Sequence, residues 1–276
     1  QFYGVARQRE TSTLYIVEEF APGGDLTQLM QSSDFTPHVF CRIVMDLLGG
    51  LCYMHALNVA HRDLKPQNLL LSSDGRVKIV DLGNARDFQK TRITAGVGTA
   101  AYMPPEAFDA AHVVSESDYP GWAWDIFSLG MLLWQLYYRK DDPWGGASVH
   151  QIISKLFKAK RPEFHEPSPP PTLRSLIEAC WSQDFFDRPQ VHTVKAIFEE
   201  QVVPIIRSLT HMSDWEAFAQ TLEGSDDGPP SPPEDTASLR LLRERVNARR
   251  KLEERSSLEL LPGETARAAQ GEREVH

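Results

Sequence analysis

The chain has 276 residues, 41% hydrophobic and 24% charged, the composition of an ordinary globular protein with a core to bury, and is long enough for one large domain or two small ones. Thirty-eight acidic residues against 29 lysines and arginines give a net charge of -9, which argues against a nucleic-acid binder, whose contact face is basic. Cys41, Cys52 and Cys180 are too few and too scattered for a disulfide framework or a zinc site, and read as small buried side chains in a reducing, cytoplasmic setting. No apolar run approaches the length of a membrane span, and no signal peptide is visible. The chain starts at Gln1, directly in strand-like sequence, as a cut through a domain would.

Leu14-Tyr15-Ile16-Val17 favours a strand, ended by the turn signal Pro22-Gly23-Gly24. Thr36-Pro37 reads as an N-cap with proline in the first turn. Phe40, Ile43, Val44, Leu47, Leu48, Leu51 and Met54 then recur at helical spacing, predicting a long amphipathic helix to about His55. Leu69-Leu70-Leu71 and Val77-Lys78-Ile79-Val80 flank Ser73-Asp74-Gly75, a hairpin and its turn. Residues 84–105, polar and without periodicity, predict a mobile surface segment. Asp125 to Tyr138 is apolar nearly all round, as a buried helix is. Further helices are expected at 148–158, 172–181 and 189–208, a disordered linker at 223–237, and a solvated charged helix at 238–256.

The chemistry concentrates in His61-Arg62-Asp63-Leu64-Lys65-Pro66-Gln67-Asn68 and, eighteen residues after Asp63, in Asp81-Leu82-Gly83. Phosphoryl transfer requires a base to orient the attacking hydroxyl, a cation for the γ-phosphate and oxygen ligands for Mg²⁺, and these residues supply all three. The run resembles the catalytic loop of eukaryotic protein kinases, with Asp81-Leu82-Gly83 where D-F-G stands. Gly98-Thr99 to Tyr102-Met103-Pro104-Pro105-Glu106 is similar to the end of an activation segment, Asp125-Ile126-Phe127-Ser128-Leu129-Gly130 to the start of the central helix, and Cys180-Trp181 with Asp187-Arg188-Pro189 to the last helical pair. Lys65 and Thr99 match the serine/threonine type. The Cys-Trp and Asp-Arg-Pro motifs, with Leu132-Leu133-Trp134, lean towards its tyrosine-kinase-like group.

The resemblance implies an α+β, protein kinase-like fold, with a partial kinase domain at 1–209 and a charged tail at 210–276. It implies Asp63 as catalytic base, Lys65 as the cation on the transferring phosphoryl group, Asn68 and Asp81 as Mg²⁺ ligands, and Thr99 bonded to Asp63 and Lys65. Glu19, Ala21, Asp25 and Leu70 become the ATP-binding residues, the backbones of Glu19 and Ala21 facing the adenine edge and Asp25 the ribose. Gly83 lets the backbone turn after the metal ligand. His61 belongs to the core spine with Leu82, and Arg62 holds an activation-loop phosphate on Thr91 or Thr94. Glu106 and Arg188 form a buried structural ion pair, Asp125 braces the catalytic loop, and Trp122, Trp124, Trp134, Trp144 and Trp181 are packing residues.

The departures point the other way. Leu14 to Asp25 resembles the strand and hinge that join the two lobes of a kinase, and no G-x-G-x-x-G and no V-A-I-K lysine precede it, so the chain alone is expected to turn over poorly. Glu18 takes the gatekeeper position, where a carboxylate needs a partner or water. Pro105 replaces alanine and Leu82 phenylalanine, both mild changes. Two readings follow: an ATP- and Mg²⁺-dependent kinase acting on Ser or Thr of proteins, or an inactive kinase-like fragment that binds proteins as a scaffold. Asp63, Lys65, Asn68 and Asp81 together favour the first.

Overall fold

The computed structural model describes residues 2–8, 14–87, 98–108 and 120–207. In chain order these form β1 (Phe2–Arg7), β2 (Leu14–Glu18), α1 (Leu26–Gln31), α2 (Pro37–Ala56), β3 (Val59–Ala60), β4 (Leu69–Leu71), β5 (Val77–Ile79), β6 (Arg86–Asp87), α3 (Trp122–Tyr138), α4 (Val149–Phe157), α5 (Pro171–Cys180), α6 (Val191–Ile197) and α7 (Val203–Arg207). Among the described residues the strands make three antiparallel pairs, β1 with β2, β3 with β6 and β4 with β5, and helices make the rest. This is the α+β class expected from the sequence.

Two helices, α2 and α3, supply the largest share of the buried core. In α2 the Thr36 side chain accepts from the Val39 amide at 3.3 Å and Pro37 sits in the first turn, so the helix starts where its cap dictates. Its stripe of Phe40, Ile43, Val44, Leu47, Leu48 and Leu51 is fully buried against β5, α6 and α7. Each such side chain contributes about 1.5–3 kcal/mol of burial. One sequence expectation changes here: at 20 residues α2 is long and apolar enough to cross a membrane by length and composition. Its apolar stripe is nonetheless taken up by the packing just described. Helix α3 is buried from Ala123 to Tyr137, as its all-round apolar sequence predicts, and packs on α5.

The β4–β5 hairpin pairs Leu69 with Ile79, Leu70 with Lys78 and Leu71 with Val77. It is tied to α2 by Arg76, whose Nε donates to Asp46 Oδ1 and Oδ2 at 2.9 and 2.8 Å. On its other side the hairpin meets the turn after β2: Gly23 N donates to Leu71 O and Leu71 N to Gly24 O, both at 2.9 Å. A Cβ on Gly23 would lie 2.6 Å from Leu71 Cβ, so only glycine permits this approach.

Several expectations are corrected. Of the segment 84–105 expected to be mobile, residues 86–87 form β6, residues 98–105 are packed rather than mobile, and residues 88–97 lie outside the described residues. Tyr102 and Met103 are buried, Tyr102 Oη donates to Gln135 Oε1 at 2.7 Å, and Trp144 Nε1 donates to Ala101 O at 2.9 Å. Their polar, aperiodic sequence hides partners that lie on distant elements. The short helix α1, capped by Asp25, was not anticipated, nor was the two-residue pairing of β3 with β6. The single helix expected at 189–208 is α6 and α7 joined by a π-helical turn, Phe198–Val202. Thr91, Thr94, the 223–237 linker and the 238–256 helix lie outside the described residues.

Candidate active site

The loop carrying Asp63 is fixed from beneath by one carboxylate. Asp125 of α3 is fully buried; its Oδ2 accepts from His61 N and its Oδ1 from Arg62 N, each at 2.8 Å. His55 at the end of α2 gives Asp125 Oδ2 a further donor through Nε2 at 2.8 Å. Pinning both amides holds Arg62 at φ 68°, a left-handed conformation that a non-glycine residue adopts only at a cost. His61 adds a second tie. Its Nε2 lies 2.8 Å from the Val80 carbonyl, which can only accept, so Nε2 carries the proton and Nδ1 accepts from Asp63 N at 3.3 Å. The histidine thus locks the loop to the end of β5. It does so without Leu82, which is 56% exposed and is not part of a buried spine.

Asp63, Lys65, Asn68 and Thr99, expected together from the sequence, do converge. Asp63 Oδ1 accepts from both the backbone N and the Oγ1 of Thr99 at 2.9 Å, and Oδ2 from Lys65 Nζ at 2.8 Å. Lys65 Nζ also donates to Thr99 Oγ1 at 2.8 Å. Asn68 Nδ2 donates to the Asp63 carbonyl at 2.8 Å and to its Oδ2 at 3.2 Å, which turns the amide oxygen away from this network. Burial pushes the Asp63 carboxyl up, but the Lys65 and Thr99 hydrogen bonds and the Lys65 charge outweigh it and hold the group below the ordinary carboxylate value of 3.8. It is therefore ionised at neutral pH. Thr99 reaches Asp63 because Gly98 adopts φ +107°; a Cβ there would stand 2.8 Å from the Arg62 carbonyl.

The sharp turn expected at Gly83 falls on Asp81 instead, at φ 64°. Aspartate tolerates this region because its short side chain bonds locally, here accepting from Gly83 N at 3.3 Å. Asp81 is exposed, follows Val80, whose amide donates to Asn68 O at 3.0 Å, and presents a carboxylate towards solvent. With the Asn68 amide oxygen it offers hard oxygen donors of the kind Mg²⁺ prefers, so the residues fit that ion.

The expected nucleotide residues divide into two groups. Asp25 and Leu70 are joined by an isolated antiparallel bridge. The Asp25 Oδ1 caps α1 by accepting from Thr27 N at 2.9 Å, which leaves Oδ2 for a ligand. Glu19 and Ala21, beyond the last paired residue of β2, line a cleft of about 400 Å³ with Tyr53, Lys78, Asp81 and Leu82. Glu18 lines the same cleft and is exposed, so its carboxylate is met by solvent and the burial cost foreseen for it does not arise.

Arg62 is buried with its guanidinium carbon 4.7 Å from the centre of the Trp124 ring. The buried pair is as expected: Arg188 Nη1 and Nη2 bond Glu106 Oε1 and Oε2 at 2.6 and 3.0 Å. Trp124, Trp134, Trp144 and Trp181 are buried; Trp122 is only partly so and lines a second cleft with Cys52, His55 and His192. Sequence reasoning missed His55. The signal was present, since it falls four residues after Leu51 on the buried stripe of α2.

Residues 1–199 match the model of the protein kinase domain. The chain is similar to mitogen-activated protein kinase kinase kinase 7 of Drosophila melanogaster, 30% identical over 207 residues covering 72% of this chain and 29% of that protein. It is 33% identical to human mitogen-activated protein kinase kinase kinase 7 over 66% of this chain and 30% of that protein. Human receptor-interacting serine/threonine-protein kinase 1 is 27% identical over 70% of this chain and 32% of its own length. The chain thus spans about 30% of the length of the curated relatives it matches.

Proposed function

We propose that this chain, which belongs to the protein kinase domain family, carries the transfer machinery of a serine/threonine kinase, moving the γ-phosphate of ATP to serine or threonine hydroxyls of proteins. The observation that carries the reading is the Asp63 carboxylate, ionised and gripped at once by Lys65, Thr99 and Asn68. In this reading Asp63 orients the substrate hydroxyl and takes its proton as the new O–P bond forms and the bond to ADP breaks. A carboxylate held below its ordinary pKa is a weak base, so orientation is the larger part of its role. That suits phosphoryl transfer, in which positioning and charge stabilisation dominate. Lys65 stands beside Asp63 to offset charge on the transferring group, and Thr99 keeps the two in register.

Asn68 and Asp81 are the residues that would hold Mg²⁺, which supplies charge neutralisation on the phosphates. Glu19, Ala21, Asp25 and Leu70 would take the nucleotide, and Arg62 a phosphate on Thr91 or Thr94. The kinase domain is assigned to 1–209 and a separate tail to 210–276, in a cytoplasmic setting consistent with three free cysteines. The competing reading, a protein-binding scaffold, draws on the exposure of Tyr53, Leu57 and Leu82, at 69%, 56% and 56%. Because the chain alone is expected to turn over poorly, the residual transfer of labelled γ-phosphate to serine is compared for wild type and Asp63→Asn: transfer that the change removes supports the kinase reading, and transfer indifferent to it supports the scaffold.

A further inference from the structure

The end of α2 and the starts of α3 and α6 enclose a cleft of about 300 Å³ that shares only His55 with the supports of the Asp63 loop. Its walls are Cys52, His55 and Ala56 of α2, Trp122 of α3, and Gln190 and His192 at the start of α6. Cys52 lies three residues before His55 and four before Ala56, so these three share one face of α2. Trp122 stands apart from its counterparts. Trp124, Trp134, Trp144 and Trp181 are buried, whereas Trp122, alone among the described tryptophans, keeps part of its ring open. The volume falls at the lower end of the range of about 300–1,000 Å³ in which small ligands are held, which suits an occupant of one or two rings.

The walls also select the occupant's chemistry. One indole and two imidazoles offer flat faces on which an aromatic ring stacks. Among the described residues no carboxylate lines the cleft. Its exposed polar edges are the His192 imidazole and the Gln190 carboxamide, and each carries an N–H that can donate. Gln190 precedes α6 without capping it through its side chain. Burial pushes the Cys52 thiol up, and the positive charge of Lys195, one turn along α6, draws it part of the way back. That ammonium also pairs with Glu199 at 3.3 Å. Stacking faces, N–H donors and a nearby cation together fit an aromatic ring that bears a carboxylate.

His55 connects the cleft to the loop above it. Its Nε2 meets Asp125 Oδ2 at 2.8 Å, and Asp125 accepts from the His61 and Arg62 amides, each at 2.8 Å. Those two bonds hold Arg62 at φ 68°. A ring packed on His55 keeps the imidazole where it meets Asp125, and so favours the pinned loop over any looser one.

We propose that this cleft binds a small aromatic carboxylate, and that the occupant steadies the loop carrying Asp63 through His55 and Asp125. Neither part rests on the kinase reading.

The test uses the full chain and 2-naphthoate as probe, with binding followed by isothermal titration calorimetry. Wild type binds naphthoate, and the naphthylmethylammonium cation, with the same rings and the opposite charge, does not bind. His192→Ala weakens binding about tenfold. Ala56→Trp, which places a ring in the mouth of the cleft, abolishes it; both positions are exposed, so the fold is spared. Iodoacetamide, which forms an S–C bond at a thiolate and releases iodide, locates the probe. Bound naphthoate slows alkylation of Cys52 in wild type, while Cys41 and Cys180, buried at 4% and 0% exposure, stay unmodified as long as the chain is folded. Residue-resolved hydrogen exchange reads the loop. Naphthoate should slow exchange of the His61 and Arg62 amides about tenfold, and by more than it slows the amides of α5, which does not line the cleft. Absence of binding at millimolar naphthoate, equal binding of the cation, equal binding by both variants, or an unchanged alkylation rate at Cys52 overturns the site. Binding that slows the α5 amides as much as those of His61 and Arg62 overturns the connection to the loop.

Discussion

Replacing Arg188 by methionine removes the guanidinium that holds the buried Glu106 carboxylate. Arg188 donates twice to Glu106, at 2.6 and 3.0 Å, and once each to the carbonyls of Ala123 and Ser182, at 3.1 and 3.0 Å. The side chains are 0% and 7% exposed, so water does not replace the lost donors. Breaking a buried pair by removing one partner costs about 3–5 kcal/mol, and a carbonyl left without its donor adds about 1–3 kcal/mol. For a domain of this size each kcal/mol lowers Tm by about 2–4 °C, so the ion-pair loss alone predicts a fall of about 6–20 °C. Far-UV circular dichroism melts at pH 7 and one scan rate measure it. The double change Glu106→Leu with Arg188→Met removes both charges and should be more stable than Arg188→Met alone, because apolar replacement of a buried pair is often neutral. A fall under about 2 °C for the single change, or a double variant less stable than the single, would refute the reasoning.

Three further outcomes follow from the site. ATP and Mg²⁺ together should raise Tm slightly for wild type, either alone should do little, and Asp81→Ala should lose the shift; an equal shift in both proteins would remove Asp81 from the ion's ligands. Because the Asp63 pKa is lowered from 3.8, its contribution to stability and activity is present above that value and is lost only as pH falls through the still lower folded value. Lys65→Met removes a donor and a charge that favour the carboxylate, so the acid limb of kcat/KM should move to higher pH; a limb that stays or moves down contradicts the assignment. Gly98→Ala puts a Cβ 2.8 Å from the Arg62 carbonyl and should displace Thr99 from Asp63, cutting turnover about 10²-fold; near-normal turnover would show that Thr99 does not depend on this approach.

The catalytic network was legible because its members lie in one contiguous run plus Thr99, and their types state their chemistry. The long helices were legible for a related reason: α2 and α3 announce their burial through period and composition alone. What failed needed contacts remote in sequence. Residues 98–105 look like part of a polar loop until Gln135, Ser128 and Trp144, all distant in the chain, supply their partners. Leu82 was assigned to a buried spine from its position in the motif, yet burial depends on what surrounds it, and it is 56% exposed. The turn expected at Gly83 fell on Asp81, since an aspartate that bonds its own backbone can take a left-handed turn as glycine does. His55 escaped notice because its partner, Asp125, lies 70 residues away.

The central claim is that Asp63 serves transfer of phosphate to serine or threonine. It is tested most directly by following labelled γ-phosphate from ATP into a serine-containing protein substrate for wild type and Asp63→Asn, with melts to show that both are folded. Asparagine keeps the shape and much of the hydrogen bonding but cannot take the proton, so transfer is predicted to fall by at least about 10²-fold with the fold intact. Transfer at the wild-type rate by a folded Asp63→Asn protein would contradict the account.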